Sequence, residues 1–214
     1  CSEGNVMVGF SGVRGYNGPV YESGFGFNLP TQETFDAFSE NDLRRNVSIL
    51  DIEAWVADTG AIYTIGNQDP QTGHTGYYNK KYIPRQNDNL GDANLTQPNN
   101  YRAIRYADVL LMAAEALNRG SINDDLALDY VNQVRNRAGL DDVQDLSGSQ
   151  LTEEIYTQRR LELVGEGHRF FDLVRTGRAA NVIEGFTPNK NEVFPIPLEE
   201  IQFSQGNWEQ NANY

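Results

Sequence analysis

Two back-to-back stretches of helical periodicity constrain this chain more than any other feature. From Arg105 to Asn118, Ala107, Leu110, Leu111, Ala114 and Leu117 fall at i, i+3, i+4, i+7 and i+10, one continuous apolar stripe. Gly120 stops that helix and Asn123 or Asp124 caps the next, where Ala127, Tyr130, Val131, Val134 and Ala138 repeat the stripe as far as Gly139. Small alanines at the contact and a span of about 34 residues from Arg105 to Ala138 match one tetratricopeptide-type hairpin. A single hairpin cannot bury its own faces, so this one needs neighbours.

The rest of the chain arranges itself around that hairpin. It reads as one domain, 1–214, with residues 1–100 loop-rich, 101–178 a helical scaffold and 179–214 an extended C-terminal segment. Phe10, Tyr16, Tyr21, Phe25 and Phe27 sit among closely spaced glycines, which mark turns, and Val6 to Phe10 reads as a strand. Pro30-Thr31 opens a short helix with Phe35 and Phe38 on one face, Asp42 to Arg45 ends it, and Val47 to Ile52 reads as a strand. Residues 53–100 form a polar loop region with short strands around Ala61–Ile65 and Tyr77–Ile83; loops this long in a compact domain are usually functional. Thr152 caps a third helix, Gly165 and Gly167 interrupt it, and His168 to Arg175 forms a fourth. Each proline of Phe194-Pro-Ile-Pro197 forces the residue before it to be extended, and Leu198 to Ile201 makes one polar turn. The fold class is mainly α with long loops and few short strands, a tetratricopeptide-like hairpin packed against a loop-rich ligand-binding region.

Lys and Arg total 17 against 30 Asp and Glu, a net charge of −13, which argues against nucleic acid or an anionic membrane face as partner. No run approaches the roughly 18 consecutive apolar residues of a membrane span. The one cysteine is residue 1, so there is no internal disulfide and no cage of several thiolates. Cys1 is either a lipid-carrying first residue or a boundary within a longer polypeptide. The strand-like segment close behind it, where a lipoprotein has a polar tether, favours the boundary.

Glu162-x3-Glu166-x-His168 invites a metal or acid–base reading, but His-Glu-x-x-His spacing is absent. Pairing along helices fits better: His168 and Arg169 with Asp172, and Asp172 with Arg175, a structural network tying two helices together. No Gly-x-Ser-x-Gly elbow, P-loop or dinucleotide fingerprint occurs, and no cofactor is implied. His74 lies in a Gly-rich loop, where a solvated imidazole is the default. Asp58, Asp69, Asp88 and Asp92 lie in loops without EF-hand spacing, so solvated acids come ahead of a calcium site and no metal is assigned. The aromatics Trp55, Tyr63, Tyr77 and Tyr78 are the better candidates for ligand binding. Sugar rings have apolar faces that lie flat on aromatic rings while neighbouring polar groups take the hydroxyls, and loops carry function. Each ring, taken alone, also reads as a cap on the core beneath its own loop.

Four blocks in order resemble the C-terminal signature of SusD/RagB proteins: Arg105-Tyr-Ala-Asp-Val-Leu-Leu-Met-Ala-Ala-Glu-Ala-Leu-Asn118, Val131-Asn-Gln-Val-Arg-Asn-Arg-Ala-Gly-Leu140, Arg159 to Arg175, and Phe194-Pro-Ile-Pro-Leu-Glu-Glu-Ile201. Weaker matches run upstream through Leu29 to Phe38, Asp42 to Arg45 and Gly76 to Tyr82, so the resemblance covers nearly the whole chain. It implies a lipid-anchored, surface-exposed protein of the Bacteroidetes outer membrane that captures glycans or other nutrients. Such a protein sits as a lid on a SusC-like TonB-dependent transporter and is not an enzyme. Family members are much longer, so the resemblance also implies an N-terminal half as a partner and a lipidated cysteine upstream. The alternative is a tetratricopeptide-type scaffold whose ligand is a protein or peptide.

Overall fold

The computed structural model describes residues 6–65, 74–87 and 96–214. Cys1, Asp69, Asp88 and Asp92 lie outside the described residues. The chain forms two compact units, residues 1–166 and 167–214, so the loop-rich part and the helical hairpin share one unit.

In the first unit, helix α1 (Val6–Ser11) precedes strand β1 (Tyr16–Asn17). The strand read at Val6–Phe10 is therefore a helix: Val8 is fully buried, and this burial outweighs the β-propensity of two valines. The glycines around it allow backbone contact as well as turning, since a Cβ on Gly24 would lie 2.4 Å from Gly12 Cα. Helix α2 (Gln32–Asp36) starts as read, with the Thr31 hydroxyl accepting from Thr34 N at 3.2 Å. Helix α3 (Arg44–Ser48) follows where an end was read, and β2 (Ile49–Asp51) is shorter than expected. Helix α4 (Ile52–Thr59) occupies what read as loop. Its signals were local: Asp51 caps Ala54 N at 3.0 Å, Glu53 sits in the first turn, and Gly60 closes the end in a left-handed conformation. Trp55 and Asp58 are thus helical residues. Strand β3 (Ile62–Tyr63) pairs antiparallel with β1, and β4 (Tyr77–Asn79) with β2, Leu50 opposite Tyr78. A 3₁₀ turn, Lys80–Tyr82, continues from β4.

The helical scaffold is α5 (Tyr106–Arg119), α6 (Asp124–Arg137) and α7 (Gly148–Glu162). Leu110, Leu111 and Ala114 of α5 pack with Ala127, Val131 and Val134 of α6 and with Leu151 and Ile155 of α7. The stripes read from the sequence are thus the buried faces of a tetratricopeptide-like hairpin, and α7 supplies one neighbour. The opposite face of α5 stays open, with Tyr106, Val109 and Met112 exposed. Thr152 lies inside α7 rather than capping it. Its hydroxyl donates to Asn118 Oδ1 at 2.5 Å, while Asn118 Nδ2 donates to Asp124 Oδ1 at 2.8 Å and Gly148 O at 3.0 Å, so one buried amide joins three helix ends.

The second unit holds α8 (Arg169–Arg175), α9 (Ala179–Val182) and α10 (Leu198–Phe203). Asp172 pairs with Arg175 at 2.8 Å, as read. Between the prolines, Ile196 N donates to Gln210 Oε1 at 2.8 Å and Ile196 O accepts from Gln210 Nε2 at 2.9 Å. A side-chain amide thereby satisfies an extended segment that has no strand partner there.

Candidate functional site

The alternation of β4 divides two of the predicted aromatics. Adjacent strand residues face opposite ways, so Tyr78 enters the core with Val13, Tyr16, Leu50 and Ile52, while Tyr77 enters a separate core with Phe38, Ile49 and Leu161. Tyr77 stacks on Phe35, centroids 4.5 Å apart, and its hydroxyl donates to Gln32 Oε1 at 3.1 Å. With Tyr78 at 1% and Tyr77 at 9% exposure, neither offers a ring face to a ligand; both are core residues, and this corrects their assignment to a stacking platform.

Trp55 and Tyr63 are half-buried and pack on the Tyr78 core from outside. Each is held by its polar edge. Trp55 Nε1 donates to Tyr16 Oη at 2.9 Å, Tyr16 in turn donates to Pro19 O at 2.6 Å, and the indole lies 5.2 Å from the Tyr21 ring. Tyr63 sits opposite Tyr16 across the β1–β3 pair. Its hydroxyl lies 2.5 Å from His74 Nε2 and 3.0 Å from Tyr78 Oη. Burial pushes the Tyr63 phenol well above its ordinary range, and the hydrogen bond to Tyr78 adds to that. His74 is 6% exposed and not a solvated loop residue; burial lowers its pKa and favours the neutral imidazole, hydrogen-bonded to the Tyr63 hydroxyl. The result is two rings held in fixed orientation at the edge of one core. Sequence reasoning passed over Tyr16, which links them. It also passed over Phe10, Phe25 and Phe27, a cluster of exposed rings with Phe10 centroids 5.5 and 5.8 Å from the other two. Their only signal was aromatic density among glycines.

The acids that first suggested chemistry are tied down, though not along their own helix as read. Arg105, which precedes α5, donates from Nη1 to Glu162 Oε1 at 2.8 Å, and from Nε and Nη2 to the two oxygens of Glu166, both at 2.8 Å. Lys81 Nζ donates to Glu166 Oε1 and to Glu162 O, both at 2.6 Å, and Arg137 donates to Glu162 Oε2. Burial alone would raise the Glu166 pKa, but the bonds from Arg105 and Lys81 hold it below the usual carboxylate range. Burial also lowers the Lys81 pKa, opposed by Glu166. Elsewhere Asp42 pairs with Arg44 at 2.6 Å, and Asp108 with Arg159 at 2.7 Å. Among the described residues no group of three or more His, Cys, Asp or Glu is placed to hold a metal ion. The network borders a cleft of about 400 Å³ between α3, the 3₁₀ turn and the C-terminal ends of α6 and α7.

Comparison with known proteins places the chain beside one family. The family model described as SusD family matches residues 62–214. SusD-like protein P2 of Formosa agariphila is 28% identical over 98% of this chain and 45% of its own length. SusD-like protein P25 of the same organism is 31% identical over 87% of this chain and 34% of its own length. Among solved structures, a laminarin binding SusD-like protein is similar with a TM-score of 0.83 at 39% identity, over 100% of this chain and 45% of that one. Surface glycan-binding protein A from Bacteroides thetaiotaomicron in complex with laminarihexaose gives 0.78 at 32% identity, over 97% and 46%. The chain spans less than half the length of these relatives.

Proposed function

The chain belongs to the SusD family, and from that premise we propose that it binds an oligosaccharide of the laminarin type without cleaving it. The observation that carries this reading is the likeness along the whole chain, at 39% identity, to a laminarin binding relative. Trp55 and Tyr63 are the proposed stacking residues, because they alone of the four sequence candidates keep part of a ring accessible. Their edges are already hydrogen-bonded, so little side-chain freedom is lost when a sugar settles on them. Binding without turnover is supported by the buried carboxylates among the described residues, Asp42, Asp108, Glu115, Glu162 and Glu166, each of which is in an ion pair. Each is engaged by an arginine rather than offered to a glycosidic oxygen.

In the same reading the protein works at the bacterial cell surface, anchored through a lipidated cysteine upstream, and hands its ligand to a SusC-like TonB-dependent transporter. The exposed face of α5, with Tyr106, Val109 and Met112, is the proposed contact for the remainder of a longer polypeptide.

Calorimetric titration with laminarihexaose, cellohexaose and maltohexaose tests the reading. Laminarihexaose is expected to bind best, and Trp55→Ala, with an unchanged far-UV spectrum, to weaken it about tenfold, the equivalent of ~1.4 kcal/mol. Unchanged affinity would remove Trp55 from the site. Failure of every glucan to bind would overturn the function, and shorter oligosaccharides appearing on overnight incubation would overturn its non-catalytic character.

A further inference from the structure

The cleft beside Glu162 and Glu166 holds more positive charge than its own carboxylates neutralise. Arg44, Lys81, Arg102, Arg105 and Arg137 line it against Glu162 and Glu166. Asp42, paired with Arg44, is a third acid, which leaves two positive charges over in a chain whose net charge is −13. A structural ion-pair network has no need of that excess.

The surplus donors are specific atoms. Lys81 and Arg105 are committed to the two glutamates. Arg44 is 5% exposed and gives Nε and Nη2 to Asp42, but its buried Nη1 makes no hydrogen bond and lies 3.5 Å from Glu162 Oε2, whose bond comes from Arg137. A buried guanidinium nitrogen with an ion pair but no hydrogen bond is under-satisfied and costly. Arg102 lies over the Tyr82 ring, 5.0 Å from its centroid, and its guanidinium makes only a 3.4 Å bond to Lys81 O among the described residues. Stacking orients its planar fork and leaves its remaining N–H groups unspent. Leu43 and Val47 supply an apolar wall.

We propose that this cleft is an anion subsite that takes one oxyanion, a carboxylate or a sulfate ester, carried on a sugar ring. The stacked, planar fork of Arg102 suits a flat or tetrahedral oxyanion, the apolar wall suits the ring, and about 400 Å³ lies within the range of small-molecule sites. The subsite shares no residue with the Trp55–Tyr63 region and stands whether or not a neutral glucan binds there.

The test is calorimetry on the 214-residue chain with sodium glucuronate, sodium sulfate and glucose at 20 mM and 200 mM NaCl, on the wild type, Arg102→Gln and Arg137→Gln. Saturable glucuronate binding is expected, weakened several-fold by salt and about tenfold by Arg102→Gln, with none for glucose. Arg102 is exposed and holds no carboxylate, so Arg102→Gln keeps the fold and is the deciding variant, whereas Arg137 also pairs with buried Glu162; a thermal melt on both variants separates loss of stability from loss of binding. Glucuronate binding tighter than sulfate identifies a sugar-borne acid; equal affinities identify the oxyanion alone as the recognised group. No saturation by either anion to 20 mM at low salt, or unchanged affinity in both variants, overturns the proposal.

Discussion

Replacing Arg105 with Met should unfasten the chain's central polar junction. Arg105 donates to both oxygens of Glu166, to one oxygen of Glu162 and to the Glu162 carbonyl, and the two acids are 3% and 1% exposed at their side chains. Removing one partner from a buried pair costs about 3–5 kcal/mol, because the remaining charge stays buried without compensation. Here each carboxylate keeps another cation, Lys81 for Glu166 and Arg137 with Arg44 for Glu162, so the lower end applies. The expected loss is about 3 kcal/mol, or roughly 6–12 °C in Tm for a chain this size. Urea unfolding followed by far-UV circular dichroism reads it as a lower midpoint with an unchanged slope. As control, Arg175→Met breaks the more exposed Asp172–Arg175 pair and should cost about 0.5 kcal/mol or less. The deficit also depends on pH. Glu166 has a folded pKa below its ordinary 4.5, so its contribution is complete above 4.5 and is lost as pH falls through the folded value. Wild type and Arg105→Met should therefore converge in stability as Glu166 becomes protonated. A loss under about 1 kcal/mol at pH 7, or a deficit that grows in acid, would refute the reasoning.

His74 gives the second pH signature. Its folded pKa lies below the ordinary 6.5, so the unfolded chain binds its proton first; its contribution is complete above 6.5 and declines as pH falls below it. Urea midpoints at pH 7.5 and 5.5 should differ less in His74→Gln than in the wild type, and equal differences would contradict the buried neutral imidazole. Gly165 has φ +74°, and a Cβ there would lie 2.5 Å from Asn79 Nδ2, whose bond to Gly165 O is 2.8 Å. Gly165→Ala should cost about 1–3 kcal/mol in the same assay, from the left-handed backbone together with the displaced amide.

The α5–α6 hairpin was legible because its periodicity reports on burial that is mostly local: its stripes meet each other and α7. Helices α1 and α4 were not, since neither is long enough for a stripe to stand out; the cap signals of α4 are local, but the partner that fixes its aromatic side chain is not. Trp55 on α4 is held by Tyr16, 39 positions away. The site was half legible for the same reason. Aromatic residue type marked Trp55, Tyr63, Tyr77 and Tyr78 alike, but strand alternation and the position of Phe35 decide that Tyr77 and Tyr78 are core. The direction of the charge network was also hidden, because i, i+4 spacing suggests partners along a helix while Glu162 and Glu166 find theirs at positions 81, 105 and 137.

That long-range network also determines which arginines report on binding. Arg105 is committed to two buried acids, so changing it alters stability first, and any loss of anion affinity in Arg105→Met would be uninterpretable. Arg102 carries no buried carboxylate and stacks on Tyr82 from an exposed position. If its charge served the fold, Arg102→Gln would lower the urea midpoint and leave glucuronate affinity unchanged. If it serves a ligand, the midpoint stays and the affinity falls. The two arginines border one cleft and should separate in opposite senses, Arg105 in stability and Arg102 in affinity. That crossed pattern is what a binding cleft built against a structural ion-pair network requires, and a network serving the fold alone cannot produce it.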